Sequence, residues 1–330
     1  MSQTGDILAA TMASLFETSL GEEIARASRQ GTFAAAGWQA VEDAGFPLAL
    51  LSEAEGGYGF DLAEALDLIR IGGYHAAPIP LGETMLANLL LARAGLPLAE
   101  GPATFFACDD KREAGGVPWA RHAATLVAVR DGHVVRLLTS DVEIAPDLSP
   151  SGLPRDVVRW NREATGAILP NGLQPRALGA LLRALEMAGA LQRVLELTVL
   201  YANERIQFGR PIGKFQAVQQ QLAILATQAA AARAAADFAA HAFDGQGALL
   251  AIAAAKSRVG EAAGIAAAIA HQVHGAIGFT EEHRLHLYTR ALWAWRDEFG
   301  GEAEWEARLG AEALAQGGEG FWPFVTGVAA

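Results

Sequence analysis

The residues best suited to chemistry in this chain lie in Tyr201-Ala-Asn-Glu-Arg-Ile-Gln-Phe-Gly-Arg-Pro-Ile-Gly-Lys-Phe-Gln-Ala-Val-Gln219. Three cations, Arg205, Arg210 and Lys214, stand beside Gly209 and Gly213, and Pro211 stops a helix from running through. Cations near the open amides of a helix start make a corner that can bind a phosphate. The same pattern also describes a plain connection with solvated cations, since Gly and Pro punctuate most turns. His271, His274 and His283 offer a second cluster, but no carboxylate or thiol set completes a metal site around them, so no metal is expected. Nothing near the single cysteine, Cys108, marks a nucleophilic triad.

The elements that must position these residues follow from periodicity. Apolar residues recur three and four apart upstream of the corner (Leu178, Leu181, Leu182, Leu185, Leu191, Val194) and downstream of it (Val218, Leu222, Leu225, Ala226), which predicts two long helices joined by the turn. Residues 1–100 read as a helical domain: Leu8, Met12, Leu15 and Phe16 share one face, Trp38 and Val41 another, and a further helix is expected over roughly 81–94. Asp61, with Glu64 three residues on, has the form of a capping box. Residues 101–170 change period, with short β-branched runs and Asp131-Gly132 as a two-residue hairpin turn. A small antiparallel sheet or barrel is expected there. Residues 171–330 return to helix and are rich in alanine, which suits a tight four-helix bundle. The tail from Gln316 to Phe324 reads as a loop followed by an apolar end, docked on a partner or packed as an ordinary tail.

Composition narrows the function classes. The chain has 330 residues, 52% of them hydrophobic and 19% charged, which excludes global disorder. A net charge of −12 argues against nonspecific binding to nucleic acid or an anionic membrane, so any anionic ligand needs a local basic site. One cysteine excludes an intrachain disulfide. With no basic leader at the N-terminus and no uninterrupted apolar run of spanning length, a cytoplasmic location is expected.

Tyr201, Arg205, Phe208, Gly209, Ile212, Phe215 and Gln216 resemble a signature of the acyl-CoA dehydrogenase family, and Gln272-Val-His-Gly-Ala-Ile-Gly-Phe-Thr280 resembles its second block. The resemblance implies a mostly α fold with an N-terminal helical domain, a reduced middle β domain and a C-terminal four-helix bundle. It also implies FAD as cofactor, an acyl-CoA thioester as substrate and an electron-transfer flavoprotein as acceptor. The expected reaction is removal of the α-proton by a carboxylate while the β-hydrogen leaves as hydride to the flavin. Arg205 and Gln216 match positions on the ADP half of FAD, and Phe208 one near its adenine or ribityl region. Gln272, Gly275 and Gly278 match the second strip along the same moiety, and Ala276 replaces its usual second glycine. In the family a neighbouring subunit supplies these strips, so a homo-oligomer, or a heterotetramer with a longer paralogue, is expected.

Three departures bear on catalysis. Phe299 occupies the family's usual base position and Gly179 the alternative one, and the middle domain lacks the Thr-Glu-Pro-like segment of the flavin wall. Glu298 is the nearest substitute carboxylate, and Glu186 lies two turns beyond Gly179. Three functions stay open: a working dehydrogenase using Glu298 or another, unplaced base, a non-catalytic subunit completing the FAD site of a longer paralogue, and a flavin-dependent oxidase or monooxygenase on the same fold.

Overall fold

The computed structural model describes residues 3–109, 112–161, 166–169 and 174–327. The expected domain boundary at 170/171 and the first two residues of the N-terminus lie outside them. The described chain divides into two compact units, residues 1–72 with 77–182, and residues 73–76 with 183–330.

The first unit begins with helices α1 (Gln3–Ser19), α2 (Glu22–Arg29), α3 (Ala35–Asp43), α4 (Leu62–Tyr74, up to Gly72) and α5 (Leu81–Arg93). Met12, Phe16, Trp38 and Val41 are buried as their spacing predicts. Asp61 caps α4, its Oδ1 accepting from the N–H groups of Ala63 and Glu64 at 3.1 Å. A second cap forms upstream, where the Glu55 carboxylate accepts from the Ser52 N–H at 3.0 Å and the Ser52 hydroxyl at 2.7 Å; these bonds hold the Glu55 carboxyl below its usual range.

The β region is small, as expected of an antiparallel sheet or barrel, but it contains one parallel pair and two sheets. Strands β1 (Ala103–Ala107), β3 (Thr125–Arg130), β4 (His133–Leu138) and β7 (Ala167–Ile168) form one sheet, and β2 (Glu113–Pro118), β6 (Arg155–Trp160) and β5 (Val142–Ala145) another. Because β2 leaves for the second sheet, the chain re-enters the first alongside β1, and β1 and β3 pair in parallel. The hairpin turn is as expected: Arg130 pairs with His133 across Asp131 (φ 47°) and Gly132 (φ 75°), the two left-handed positions that such a turn requires. Phe106, Val117, Leu126, Leu137, Val158 and Trp160 close the core of this region.

The second unit holds the rest of α6 (Pro175–Glu204, from Arg183), then α7 (Gln216–His241), α8 (Ala248–His274), α9 (Leu285–Asp297), α10 (Glu302–Ala315) and α11 (Gly317–Gly327). Alanines line the packed faces of α7 (Ala229, Ala232, Ala236) and α8 (Ala255, Ala262, Ala266), and small side chains let the helix axes approach to the short end of the ~8–10 Å range. Gly73 touches α6 so closely that a Cβ there would lie 2.0 Å from the Glu186 carbonyl oxygen. The segment Ala248–Phe279 is long and apolar enough by composition to cross a membrane, but half of it is buried. Lys256, Arg258 and Glu261 interrupt it, and its partners are α7, α9 and α10, as for the core helix of a bundle. The expected tail loop is instead helix α11: Gly317 (φ 65°) breaks α10, and a new helix starts at once, leaving Phe321, Trp322 and Val325 exposed.

Candidate functional site

The basic corner forms between α6 and α7, where a two-residue ribbon, β8 (Ile206–Gln207) with β9 (Arg210–Pro211), precedes a 3-10 turn over Ile212–Lys214. The backbone is fixed at both ends, the Arg205 N–H donating to the Tyr201 carbonyl at 2.9 Å and the Ile212 N–H to the Arg205 carbonyl at 2.8 Å. Phe208 (φ 52°) and Gly209 (φ 79°) make the tip, and Phe208 is 91% exposed. Its ring meets Phe215 edge-on at 6.1 Å, while the Arg210 guanidinium lies over the other ring at 4.3 Å. Arg205, Lys214 and Gln216 are exposed. A flat aromatic surface beside guanidinium and amide groups suits a ligand with a purine at one end and a diphosphate at the other.

The second strip begins at the end of α8. Gln272 is exposed on its last turn, and Gly275 ends the helix at φ 65°, ψ −144°, a conformation essentially reserved for glycine. A Cβ at Gly275 would meet nothing within 4 Å, so backbone and space are both open to a ligand. Gly278 is different. It is buried, and a Cβ there would lie 2.9 Å from the His274 Cβ, so its side chain is missing for the sake of internal packing.

The three histidines tie the strips together. His274 stacks on Tyr201 at 4.5 Å and meets His283 at 4.6 Å, and His271 stacks on Phe279 at 4.3 Å. The Nδ1–H of His274 donates to the Ala270 carbonyl at 2.8 Å, and its buried Nε2 has no hydrogen-bond partner among the described residues. Burial pushes both imidazoles toward the neutral form, His274 down to about 4 and His271 below its ordinary value. They serve as aromatic packing.

Glu298 and Glu186, the two carboxylates considered from sequence, converge on one guanidinium that sequence reasoning missed. Arg183 on α6 is 1% exposed; its Nε donates to Glu298 at 2.6 Å, and its Nη1 donates to Glu186. The rings of Trp295 and Phe299 lie 5.9 Å and 5.8 Å from its Cζ. Phe299 itself sits at φ 57° in the turn after α9. A second missed residue, Lys256, is buried in α8 and donates from Nζ to the carbonyls of Arg296 at 2.6 Å and Gly300 at 2.8 Å. The signal for both was a lone cation inside an apolar helical run.

Residues 177–314 match the model of the acyl-CoA dehydrogenase C-terminal domain. The chain is 35% identical over 257 residues to acyl-CoA dehydrogenase IpdE2 of Mycobacterium tuberculosis, covering 75% of this chain and 76% of that one. It is 30% identical to the IpdE2 of Mycolicibacterium smegmatis, over 95% of this chain and 100% of that one. Among solved structures, the ChsE4-ChsE5 complex from Mycobacterium tuberculosis superposes with a TM-score of 0.84 at 21% identity, covering 95% of this chain and 98% of that chain. A Tcur3481-Tcur3483 steroid ACAD variant gives 0.84 at 23% identity, covering 95% and 99%. Identity of 35% over three quarters of both chains, and of 30% over nearly the whole length, establishes that the chain belongs to the acyl-CoA dehydrogenase family.

Proposed function

We propose that this chain works as one subunit of an FAD-dependent acyl-CoA dehydrogenase, holding the ADP half of a flavin shared with a longer paralogue that supplies the proton-abstracting carboxylate. One observation carries the division of labour. Phe299 matches the family's base position, and Glu298 and Glu186, the two carboxylates noted beside the family's two base positions, are both engaged by the buried guanidinium of Arg183. A carboxylate committed to a cation is a poor base, because abstraction requires a group poised to gain a proton. Structural likeness to the ChsE4-ChsE5 complex and to a two-component steroid ACAD supports the hetero-oligomer and puts steroid-derived thioesters beside fatty acyl ones as substrates to assay.

Within the assembly, Arg205 would pair with the diphosphate and Gln216 with the same ADP half, Phe208 would border the adenine or ribityl region, and Gln272 and Gly275 would form the second strip along the ADP moiety. When bound, FAD supplies the hydride acceptor for the β-carbon of the thioester, and an electron-transfer flavoprotein would reoxidise it. The fit rests on donor chemistry and open space, since the cations are exposed and Gly275 offers backbone that no side chain covers. Gly278 contributes by packing, at one remove from the cofactor.

The test is expression with and without a longer family paralogue, followed by flavin content and turnover with an artificial acceptor. The chain alone should be inactive or nearly so, since a missing general base removes about 10²–10⁴ of rate. Arg205→Ala in the complex should lose charge-assisted bonds worth about 1.5–3 kcal/mol, weakening FAD ten- to a hundredfold. Ordinary turnover by the isolated chain, abolished by Glu298→Gln, would overturn this reading and make Glu298 the base.

A further inference from the structure

Helix α8 buries its lysine far from solvent, and its ammonium has a defined task. Lys256 is 1% exposed, yet its Nζ donates to two backbone carbonyls that bracket the turn between α9 and α10, Arg296 at 2.6 Å and Gly300 at 2.8 Å. The last carbonyls of α9 have no partner within their own helix and lie at the negative end of its dipole, where a cation is favoured.

The turn they belong to is strained. Phe299 at φ 57° is a bulky residue in the left-handed region, and Gly300 follows at φ 101°. Glycine takes such a φ freely, but a phenylalanine in the left-handed region persists only where its surroundings over-determine it. Here the indole Nε1 of Trp305 donates to the Phe299 carbonyl at 3.2 Å, Arg183 holds the Glu298 carboxylate, and Arg296 reaches across the turn to Glu302 at 2.5 Å. Lys256 is the member that grips both ends. Its placement carries a cost: burial brings it down to about 8, a fall opposed by the facing carboxylates of Glu302, Glu298 and Asp297 and reinforced by Arg183.

We infer that Lys256 is a positioning residue that, from α8, sets the Arg296–Gly301 turn and hence the direction in which residue 299 faces. The clamp rests on hydrogen bonds within one unit and is independent of the functional reading above. If the clamp is real, loosening should be local, because the rest of α9 is held by its own buried face, Leu285, Leu287, Leu292 and Trp295.

Lys256→Met keeps the volume of the side chain and removes both donors. Amide hydrogen exchange of the full chain should accelerate over the peptide 298–305, where the Glu304 and Trp305 N–H groups donate to the Gly301 carbonyl at 3.2 and 3.4 Å, by about ten- to a hundredfold, the equivalent of losing charge-assisted bonds, with α7 and the middle of α9 unchanged. Uniform acceleration would mean that Lys256 only supports the whole unit, and no acceleration would mean that the turn stands without it; either result overturns the inference. Should Lys256→Met fail to fold, Trp305→Phe removes one donor to the same turn and should give a smaller rise confined to the same peptide, its absence counting equally against the clamp. In the complex, Lys256→Met should leave FAD content unchanged, and a loss of flavin like that of Arg205→Ala would overturn the local reading. Loss of FAD with Arg205→Ala is a separate measurement, so failure of the flavin reading leaves the exchange result to decide the clamp.

Discussion

Replacing Arg183 by Met tests the idea that this guanidinium neutralises both candidate carboxylates. The side chain is 1% exposed, while Glu186 and Glu298 are 13% and 15% exposed, so the ion pairs lie at the edge of the interior. Met fills much of the same volume among Trp295 and Phe299 but removes the shared cation, leaving two carboxylates close together without it. Removing one partner of a buried pair costs about 3–5 kcal/mol, mostly the penalty on the charge left behind. For a cooperative unit of about 150 residues, each kcal/mol lowers Tm by about 2–4 °C, so a fall of roughly 6–20 °C is expected. Differential scanning calorimetry at pH 7 measures it, and a double-mutant cycle with Glu298→Gln should show the two changes to be strongly non-additive, by about 1–3 kcal/mol. A Tm within a degree of the parent, or plain additivity, would refute the argument and release Glu298 from its structural role.

Two further outcomes follow from the packing of the second unit. His274 is neutral in the fold, burial lowering it to about 4 from an ordinary 6.5, so the stability linked to its neutral form is complete above pH 6.5 and lost as pH falls through 4. Urea unfolding between pH 7 and 4 should show that decline, and His274→Phe should flatten it. Gly73→Ala would place a Cβ 2.0 Å from the Glu186 carbonyl oxygen, against backbone that cannot yield cheaply, and should cost about 1–3 kcal/mol in chemical denaturation.

What the sequence made legible was local. The spacing of Leu178 to Val194 and of Val218 to Ala226 marks two helices, and Asp131-Gly132 marks a hairpin, because each signal is complete within a few residues and depends on no distant partner. The strips at 201–219 and 272–280 were visible for the same reason, and the exposure of Arg205, Gln272 and Gly275 follows from their place at helix ends. Pairing partners were not legible. β1 lies parallel to β3 only because β2 departs to the second sheet, a decision taken by the burial of Val117 and Val158 across the domain.

The site followed the same rule at higher stakes. In sequence, Glu298 is one residue from the position where the family keeps its base, which makes it a candidate by proximity alone. In space its carboxylate meets a guanidinium from 115 positions earlier, and its own backbone enters a turn pinned by a lysine some forty residues before it. Neither contact has a periodic or motif signature, since a lone Arg or Lys in an apolar helix states only that a buried acceptor exists somewhere. The role of a carboxylate at such a turn is therefore decided by which cation reaches it. Here the cation is Arg183, which meets two carboxylates and two aromatic rings, and this ties Glu298 to the packing of the turn.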